Sequence, residues 1–478
     1  MSARWAAVPR RERLLLGAIV GVALVVRIAY VALHGGAPLN GDEIEYALEG
    51  KLAANGHWFW STTPYGIAHA SIFKAPLYPA WVGAWFSVFG EHARVVMFAQ
   101  AFISAGTVAL TWLLARRLFG PTVALASAGV MAIYPFAFQY DGRLYSEALA
   151  TPLTVLILWA VLERVPTARR AAAVGALVGV LLLLRPSSVF LLAVVLVAWA
   201  LSGGLRRGVG MAVLCGVVAA LVVAPWTLRN AVVTGAFVPI SAQDAAASGT
   251  FNDDAAHDPV YPWAWRPLPS RDRDVFDPRH PRPDALCRAE LLRRARAYIS
   301  AHPSSVPKAL FWNGLVRTWD VRSPARILDE VPFEARSRHL TEIGVPMYWV
   351  LLAVALTGLW RLRRRLTLLL PILAAVAAMA VVFTVDGGTR YRAPVEPLLV
   401  VIACSSAVPA LSSLRAGRRL RRSGTGLRIV RPQRVVAHVR VRLLACGDCP
   451  GRVVTRGRPP RGPDTHRAGR RPGRSRPG

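Results

Sequence analysis

Residues 14–48 read LLLGAIVGVALVVRIAYVALHGGAPLNGDEIEYAL, an apolar run that passes directly into a segment rich in acids. A helix needs about 20 apolar residues to cross the hydrocarbon core of a bilayer. Lipid offers no hydrogen-bond partners, so a chain inside it must satisfy its own backbone groups, as a helix does. We therefore predict a transmembrane helix over residues 14–33, followed by a polar loop at the membrane surface.

The same apolar pattern recurs along the chain. Of the 478 residues, 54% are hydrophobic and 18% are charged, and the mean hydropathy is +0.38. Soluble domains carry about 45–50% apolar residues even when Gly is counted. These values predict an all-α polytopic membrane protein with a transmembrane bundle of about ten helices. The predicted helices cover residues 14–33, 94–115, 121–138, 144–162, 171–184, 187–202, 208–228, 345–360, 367–385 and 393–411.

Arginine clusters predict the topology. They occupy the segment before the first helix and then every second connection, and the positive-inside rule places such segments in the cytoplasm. Both termini are then cytoplasmic, and the other loops face the outside of the plasma membrane. The clusters contain Arg4, Arg10, Arg11, Arg13, Arg116, Arg117, Arg164, Arg169, Arg170, Arg206, Arg207, Arg361, Arg363, Arg364 and Arg365.

This topology divides the chain into five segments. We expect a cytoplasmic N-terminus at 1–13, a first transmembrane half at 14–230 with its first outer loop at 34–93, a large outer loop at 231–344, C-terminal transmembrane helices at 345–411, and a basic, disordered cytoplasmic tail at 412–478. The large loop is either a lid with an acceptor site or a poorly ordered insertion.

Shorter helices are expected within the outer loops. Tyr46, Leu48 and Leu52 recur at helical spacing, which predicts an amphipathic helix on the membrane surface. Residues 76–90 are apolar and aromatic but too short to span comfortably, so we predict an interfacial or re-entrant helix there. Residues 284–301 have an amphipathic pattern, and FWNGLVRTWDV at 311–321 suggests another membrane-surface segment.

The net charge of +31 does not indicate a nucleic-acid partner. Much of the excess lies in the Arg-rich tail, and much of the remainder lies in the clusters between helices. Cys446 and Cys449 form a single CxxC in that tail. A zinc site usually needs a second pair of ligands, and none lies nearby in the sequence.

The first outer loop carries an acidic pair. Asp42 and Glu43 come soon after the first predicted helix, in NGDEIEYALEGKLAANGHWFW at 40–60. Acids of this kind complement the dipole of a helix N-terminus. They can equally act as a general base that meets a polar substrate at the bilayer edge. The residues alone leave both interpretations open.

The second outer loop reads DGRLYSEAL at 141–149 and brings Asp141, Arg143 and Glu147 to the start of a predicted helix. Ionisable groups at a membrane edge are costly, so they usually have a partner or a function. Arg143 and Glu147 are one helical turn apart and could simply pair with each other.

The last outer loop reads VDGGTRYRAPVEPLL at 385–399. Arg390 and Arg392 precede a predicted helix, where cations oppose the helix dipole. An anion such as a phosphate would explain them, although an arginine at this depth can also extend its head group to the interface. Arg185 and Arg229 are similar but weaker candidates.

The order of these motifs resembles a known family. A transmembrane helix, Asp42-Glu43, a Tyr, Gly56-x-Trp58 and Lys74-x-Pro76 follow one another as in the polyprenyl-phosphate-dependent glycosyltransferases of the GT-C fold. Protein O-mannosyltransferases, aminoarabinose transferases of lipid A and lipopolysaccharide galacturonosyltransferase-like proteins form this group. The resemblance covers residues 14–230, and residues 345–411 only in layout. His57 stands where relatives often have Asp.

The resemblance implies roles for individual residues. Asp42 would be the catalytic base, and Lys74 in FKAPLYP would contact the lipid phosphate. A second acid would come from the second outer loop, and residues 14–230 would form the catalytic half. The candidate catalytic residues are therefore Asp42, Glu43, Asp141 and Glu147, and the candidate phosphate-binding residues are Lys74, Arg143, Arg390 and Arg392.

The resemblance also implies an activity. A sugar would pass, with inversion, from a polyprenyl-phosphate donor to an extracytoplasmic protein, lipid or cell-envelope glycan. No nucleotide cofactor would be required, and the need for a divalent metal stays open. The alternatives are an inactive GT-C-like scaffold or a lipid or sugar transporter. A transporter predicts an internal repeat and charges near helix midpoints, and we identify neither in the sequence.

Overall fold

The computed structural model describes residues 8–62, 68–266, 275 and 283–422, with side chains described as far as residue 409. The predicted tail beyond residue 422, with its CxxC, lies outside the described residues. Within them the chain is predominantly helical. The longer helices are α1 (Arg10–His34), α2 (Asp42–Ala54), α3 (Leu77–Phe89), α4 (Ala93–Phe119), α5 (Pro121–Ile133), α6 (Glu147–Val161), α7 (Ala168–Leu184), α8 (Leu191–Gly203), α9 (Leu205–Thr234), α10 (Asp284–Ala301), α11 (Arg338–Arg361), α12 (Leu366–Val382) and α13 (Glu396–Arg422).

Each of the ten predicted transmembrane segments coincides with a helix. Among the described residues, six helices are long and apolar enough to cross a membrane, and α5, α6 and α12 are shorter apolar helices. Many apolar side chains on α1, α9 and α11 are exposed, such as Val25, Leu221 and Val350. An exposed apolar surface of this kind suits contact with lipid. The chain is a multi-pass membrane protein.

Proline breaks the helices at two places, of which the sequence analysis predicted one. The segment predicted as 121–138 breaks at Tyr134, which is extended, and resumes as a short turn at Pro135–Phe138. The predicted break between residues 184 and 187 is present: Arg185 is extended, and a 3-10 turn at Pro186–Phe190 leads into α8. A residue before proline is pushed out of the helical region by the ring, which explains both breaks.

The predicted helices of the outer loops are also present. α2 covers the amphipathic segment that contains Tyr46, and α3 covers most of 76–90. They pack closely at glycines, since a Cβ on Gly50 would lie 2.5 Å from Val82. α10 has the predicted bounds, and Leu310–Arg317 forms a π-helix within the predicted 311–321 segment.

One short element was not predicted, an antiparallel ribbon in the first outer loop. Trp60–Thr62 (β1) and Ala68–Ala70 (β2) pair as an antiparallel ribbon between α2 and α3. Arg229 near the end of α9 donates to the carbonyls of Phe59 and Ser71 beside this ribbon, at 3.0 and 2.7 Å. These bonds tie the first outer loop to a long helix.

Ion pairs distinguish the two ends of the bundle. At one end, Glu12 at the start of α1 meets Arg116 at the end of α4, with Nε and Oε1 2.8 Å apart. Glu163 just after α6 meets Arg365 just before α12 at that end. The opposite end carries the loops after α1, α3, α5, α7, α9 and α12. We call it the loop end.

Candidate active site

The centre of the site is the carboxylate of Asp42. Asp42 is the first residue of α2 and follows Gly41, whose φ of +53° suits glycine. Its Oδ1 lies 2.6 Å from Nζ of Lys74, and its Oδ2 lies 2.7 Å from Nη2 of Arg390. One carboxylate therefore joins two cations that are 316 residues apart in sequence, at 74 and 390.

Lys74 is enclosed by the first outer loop. Its side chain is 2% exposed, and its Nζ also lies 2.7 Å from Oε2 of Glu45. The rings of Tyr46 and Phe73 lie 5.2 and 5.0 Å from the ammonium. Tyr46 and Glu45 come from α2, whereas Lys74 precedes α3, so the packing of α2 on α3 brings the ammonium to Asp42.

Arg390 reaches the site from the last loop. Its Nε lies 2.9 Å from Oε1 of Glu147 at the start of α6, while its Nη2 binds Asp42. The loop before it is fixed by Asn313, which donates to the carbonyl of Thr384 at 2.9 Å. Gly387 approaches the Asn313 carbonyl so closely that a Cβ would lie 2.2 Å from that oxygen.

Arg185 is a third cation at the site, and the sequence analysis ranked it only as a weak candidate. Its Nη1 lies 2.5 Å from Oε1 of Glu147. The residue is 7% exposed, and its Nη2 has no hydrogen-bond partner. The signal in the sequence was the helix break before Pro186, which puts Arg185 at the loop end rather than inside the bundle.

Neighbouring charges shift the pKa values of Asp42 and Lys74, which lie outside the membrane-spanning helices. Burial opposes ionisation of Asp42, but Lys74 and Arg390 together outweigh it and hold the pKa of Asp42 below its usual range. Burial likewise opposes the charged form of Lys74, but Asp42, Tyr46 and Glu45 raise its pKa above the usual value. Both groups are therefore charged at neutral pH.

Asp386 is a further acid near Arg390 that was not among the predicted site residues. It accepts a hydrogen bond from the hydroxyl of Tyr391. Burial raises the pKa of Asp386 to about 6, against the opposing effects of Tyr391, Arg317 and Arg390. The ring of Tyr391 lies 5.3 Å from the guanidiniums of both Arg185 and Arg390.

Glu43 and Arg143 meet each other next to the cluster. Their side chains form a buried ion pair, and Glu43 is fully buried. Glu43 also accepts from the backbone N–H of Leu144 at 2.9 Å and from that of Asn40 at 3.0 Å. The pair joins the first outer loop to the second. Arg143 does not pair with Glu147, which binds Arg185 and Arg390 instead.

Asp141 lies apart from Asp42 and faces Arg27 of α1. Their Oδ2 and Nε atoms are 3.4 Å apart, and both residues are buried. Arg27 also donates to Ser104 of α4 and to the carbonyls of Met131 and Ala132 at the end of α5, at 2.8, 3.1 and 3.2 Å. The sequence analysis identified no charges near helix midpoints and gave Arg27, a buried charge within α1, no role.

Arg392 points to a different set of partners from Arg390. It is fully buried, with Nε 2.6 Å from Oε1 of Glu396 and Nη1 3.0 Å from Oδ2 of Asp320. Its guanidinium stacks on the ring of Tyr348 at 3.7 Å. The structure therefore brings Asp42, Glu147, Lys74 and Arg390 together and leaves Arg392 outside this group.

No group of three or more His, Cys, Asp or Glu side chains is arranged to hold a metal ion in the part of the chain that the structure describes. Glu45 and Glu147, which share cations with Asp42, are each paired with a cation, whereas Asp386 bonds to Tyr391. Lys74, Arg185 and Arg390 thus converge on Asp42 and Glu147 at this end of the bundle.

Parts of this chain are similar to known proteins. Residues 74–228 match the family model of the dolichyl-phosphate-mannose-protein mannosyltransferases. The archaeal oligosaccharyltransferase AglB from Archaeoglobus fulgidus, solved with an inhibitory peptide and a dolichol-phosphate, is 16% identical, with a TM-score of 0.53 over 87% of this chain and 52% of its own. The apo form of the A. fulgidus oligosaccharyltransferase is 15% identical, with a TM-score of 0.50 over 86% of this chain and 52% of its own.

The chain has the GT-C fold. The fold prediction is confirmed, and the family match confirms the resemblance for residues 74–228. The GT-C chain described here spans about half the length of the oligosaccharyltransferases, since it covers 52% of AglB. ArnT from Cupriavidus metallidurans bound to undecaprenyl phosphate is 18% identical, with a TM-score of 0.40 over 82% of this chain and 77% of its own. Comparison with curated proteins gave no match.

Proposed function

We propose that this GT-C protein is a membrane glycosyltransferase that moves a sugar from a polyprenyl-phosphate donor to an acceptor outside the cytoplasm. One observation carries the proposal: the cations Lys74, Arg185 and Arg390 converge on the acid of the first outer loop, Asp42, and on Glu147. A lipid-linked phosphate enters from the bilayer and needs cations at the membrane edge.

The cations supply the phosphate end of the proposed site. Arg185 offers a buried guanidinium nitrogen without a partner. A buried donor of this kind costs stability unless something satisfies it. A phosphate oxygen is a suitable acceptor because charge-assisted bonds to arginine are strong and often bidentate. Lys74 and Arg390 would neutralise the charge that develops as the phosphate leaves.

Asp42 supplies the proposed base, as the family resemblance implies. The acceptor oxygen or nitrogen forms a bond to the anomeric carbon and gives its proton to the Asp42 carboxylate. The bond between that carbon and the phosphate oxygen breaks, and its electron pair leaves on the polyprenyl phosphate. A single displacement inverts the anomeric centre. The sugar arrives already activated by its phosphate, so no nucleotide cofactor is required in this scheme.

The proposed orientation puts the loop end outside the cell and both termini in the cytoplasm. Arg116 and Arg365 belong to the opposite end of the bundle, where they pair with Glu12 and Glu163 respectively. Basic segments are retained in the cytoplasm during insertion, which supports this orientation.

Transfer of labelled sugar from native membrane polyprenyl phosphates tests the activity. The wild-type chain should transfer label, and Asp42→Asn at matched expression should lower transfer by about 100-fold or more, as expected for loss of a general base. Glu91→Gln is the matched control, because Glu91 is an exposed acid of the same loop that pairs with Lys51. It should transfer label at the wild-type rate.

Other outcomes point to other functions. Transfer by Asp42→Asn at the wild-type rate would remove Asp42 from the chemistry. Lack of transfer by the wild type with any polyprenyl-phosphate donor would contradict the glycosyltransferase and favour the inactive scaffold or transporter. The same assay with and without a chelator decides whether a divalent metal is needed.

A further inference from the structure

The cations of the site are already occupied by carboxylates of the chain itself. Lys74 binds Asp42 and Glu45, and Arg390 binds Asp42 and Glu147. Among the described acids, only Asp42 contacts both Lys74 and Arg390. A donor phosphate that uses these two cations must therefore take them from Asp42.

We propose that Asp42 stands in for the donor phosphate in the free protein and becomes an available base only when the donor displaces it from Lys74 and Arg390. This inference rests on the proposed function and adds to it the order in which the two substrates act. The donor binds first and creates the base, and the acceptor reacts second.

The geometry favours exchange between a carboxylate and a phosphate. The two oxygens of Asp42 each take one cation, at 2.6 Å from Nζ of Lys74 and 2.7 Å from Nη2 of Arg390. A phosphodiester presents two non-bridging oxygens with a similar spacing and one negative charge. It can accept the same two donors without leaving either cation unpaired.

Of the two carboxylates that bind Arg390, Asp42 is the one that can leave more easily. The side chain of Glu147 is 2% exposed and is also held by Arg185, whereas that of Asp42 is 28% exposed. Glu45 is more exposed, at 46%, but contacts only Lys74 of the two cations. After displacement Asp42 remains in the first turn of α2, where the helix dipole stabilises a negative charge.

The exchange changes the chemistry of Asp42. While both of its oxygens accept from cations, the carboxylate binds a proton poorly, because each cation favours the charged form. Once Lys74 and Arg390 turn to the phosphate, the oxygens are free to take the proton of the acceptor. The phosphate then leaves with the electron pair of the broken bond, beside the same cations.

Binding of polyprenyl phosphate to the purified full chain in nanodiscs tests the exchange without sugar transfer. Asp42→Asn removes the competing charge and should lower Kd about 10-fold or more, which corresponds to about 1.4 kcal/mol. Glu45→Gln removes one negative charge next to Lys74 and controls for simple charge removal. It should change Kd by less than about 3-fold, because its side chain is 46% exposed, which screens its charge, and it contacts Lys74 but not Arg390.

The outcomes separate this inference from the proposed function. Equal or weaker binding by Asp42→Asn, or equal gains in both variants, would overturn the exchange and leave the glycosyltransferase standing. Lack of binding by the wild type would overturn both. If Asp42→Asn fails to fold, the wild type can be mixed first with donor or first with acceptor, and the transfer kinetics of the two orders then test the exchange. An acceptor that reacts or binds productively before the donor contradicts the exchange.

Discussion

Glu49 shows how a single buried acid makes this protein sensitive to pH. It lies on α2, two turns after Asp42, and is 5% exposed. Burial raises the pKa of Glu49 to about 8, with Glu45 and Asp284 acting in the same direction and Lys74 and His69 opposing them. The folded protein therefore holds a proton on Glu49 that the unfolded chain releases at lower pH.

The stability of the fold should fall as pH rises through this interval. A raised carboxyl pKa stabilises the folded state below the unfolded pKa of 4.5 and loses that contribution as pH climbs to about 8. Glu49→Gln should remove most of this slope and stabilise the protein at pH 8 by on the order of 2–5 kcal/mol. Thermal unfolding midpoints in detergent at pH 5 and pH 8 measure it. An unchanged slope in the variant would rule out Glu49 as the cause.

The loop between α12 and α13 is the element that assembles the site. In this loop, Arg390 binds Asp42, and Tyr391 donates to Asp386. Arg392 binds Asp320. The loop can do so because Gly387 lies directly against the backbone of Asn313. Three consecutive side chains thus bind α2, their own loop and the large outer loop.

Gly387→Ala should displace this loop. A Cβ there would lie 2.2 Å from the carbonyl oxygen of Asn313. This oxygen belongs to the backbone, so the clash can be relieved only by displacing a chain segment. We expect a loss of about 1–3 kcal/mol in the free energy of unfolding and a fall in sugar transfer. Gly106→Ala is the matched control, because nothing lies within 4 Å of its Cβ position in α4. Unfolding midpoints and transfer rates should match the wild type for Gly106→Ala and fall for Gly387→Ala.

At the scale of the whole molecule, a buried ion pair joins the helices beneath the site. Arg27 of α1 contacts Asp141, Ser104 of α4 and two carbonyls at the end of α5. A charge inside a membrane bundle is expensive unless it is paired. The pair therefore fixes how the first helix sits against its neighbours.

Removing one partner of this pair should lower the free energy of unfolding more than removing both. Arg27→Met leaves the Asp141 carboxylate buried without its cation, and we expect a loss of about 3–5 kcal/mol. The double variant Arg27→Met/Asp141→Asn should recover part of that loss. Unfolding midpoints for the two single variants and the double variant measure the coupling. Strictly additive losses would show that the two residues do not stabilise each other.

The helices could be read from the sequence because their cause is local. A run of about 20 apolar residues must become a helix in lipid, and Pro135 and Pro186 mark breaks through their immediate neighbours. The alternation of arginine clusters predicts which connections share an end of the bundle, and Arg116 and Arg365 of two such clusters pair with Glu12 and Glu163. Asp42 and Lys74 were found because the family motifs that carry them are contiguous. The β1–β2 ribbon was missed because its strands are three residues each.

The sequence by itself determined the helices, the grouping of the loops at one end and the acids and cations at that end. Only the tertiary structure decided which of these charges meet. Arg390 and Arg392 are two residues apart, yet one binds Asp42 and the other Asp320. Arg185 joins Glu147 across 38 positions of the sequence, 147 to 185. Such pairings depend on which helix ends are neighbours in space and on the rotation of each helix, and neither is a property of a local stretch of chain.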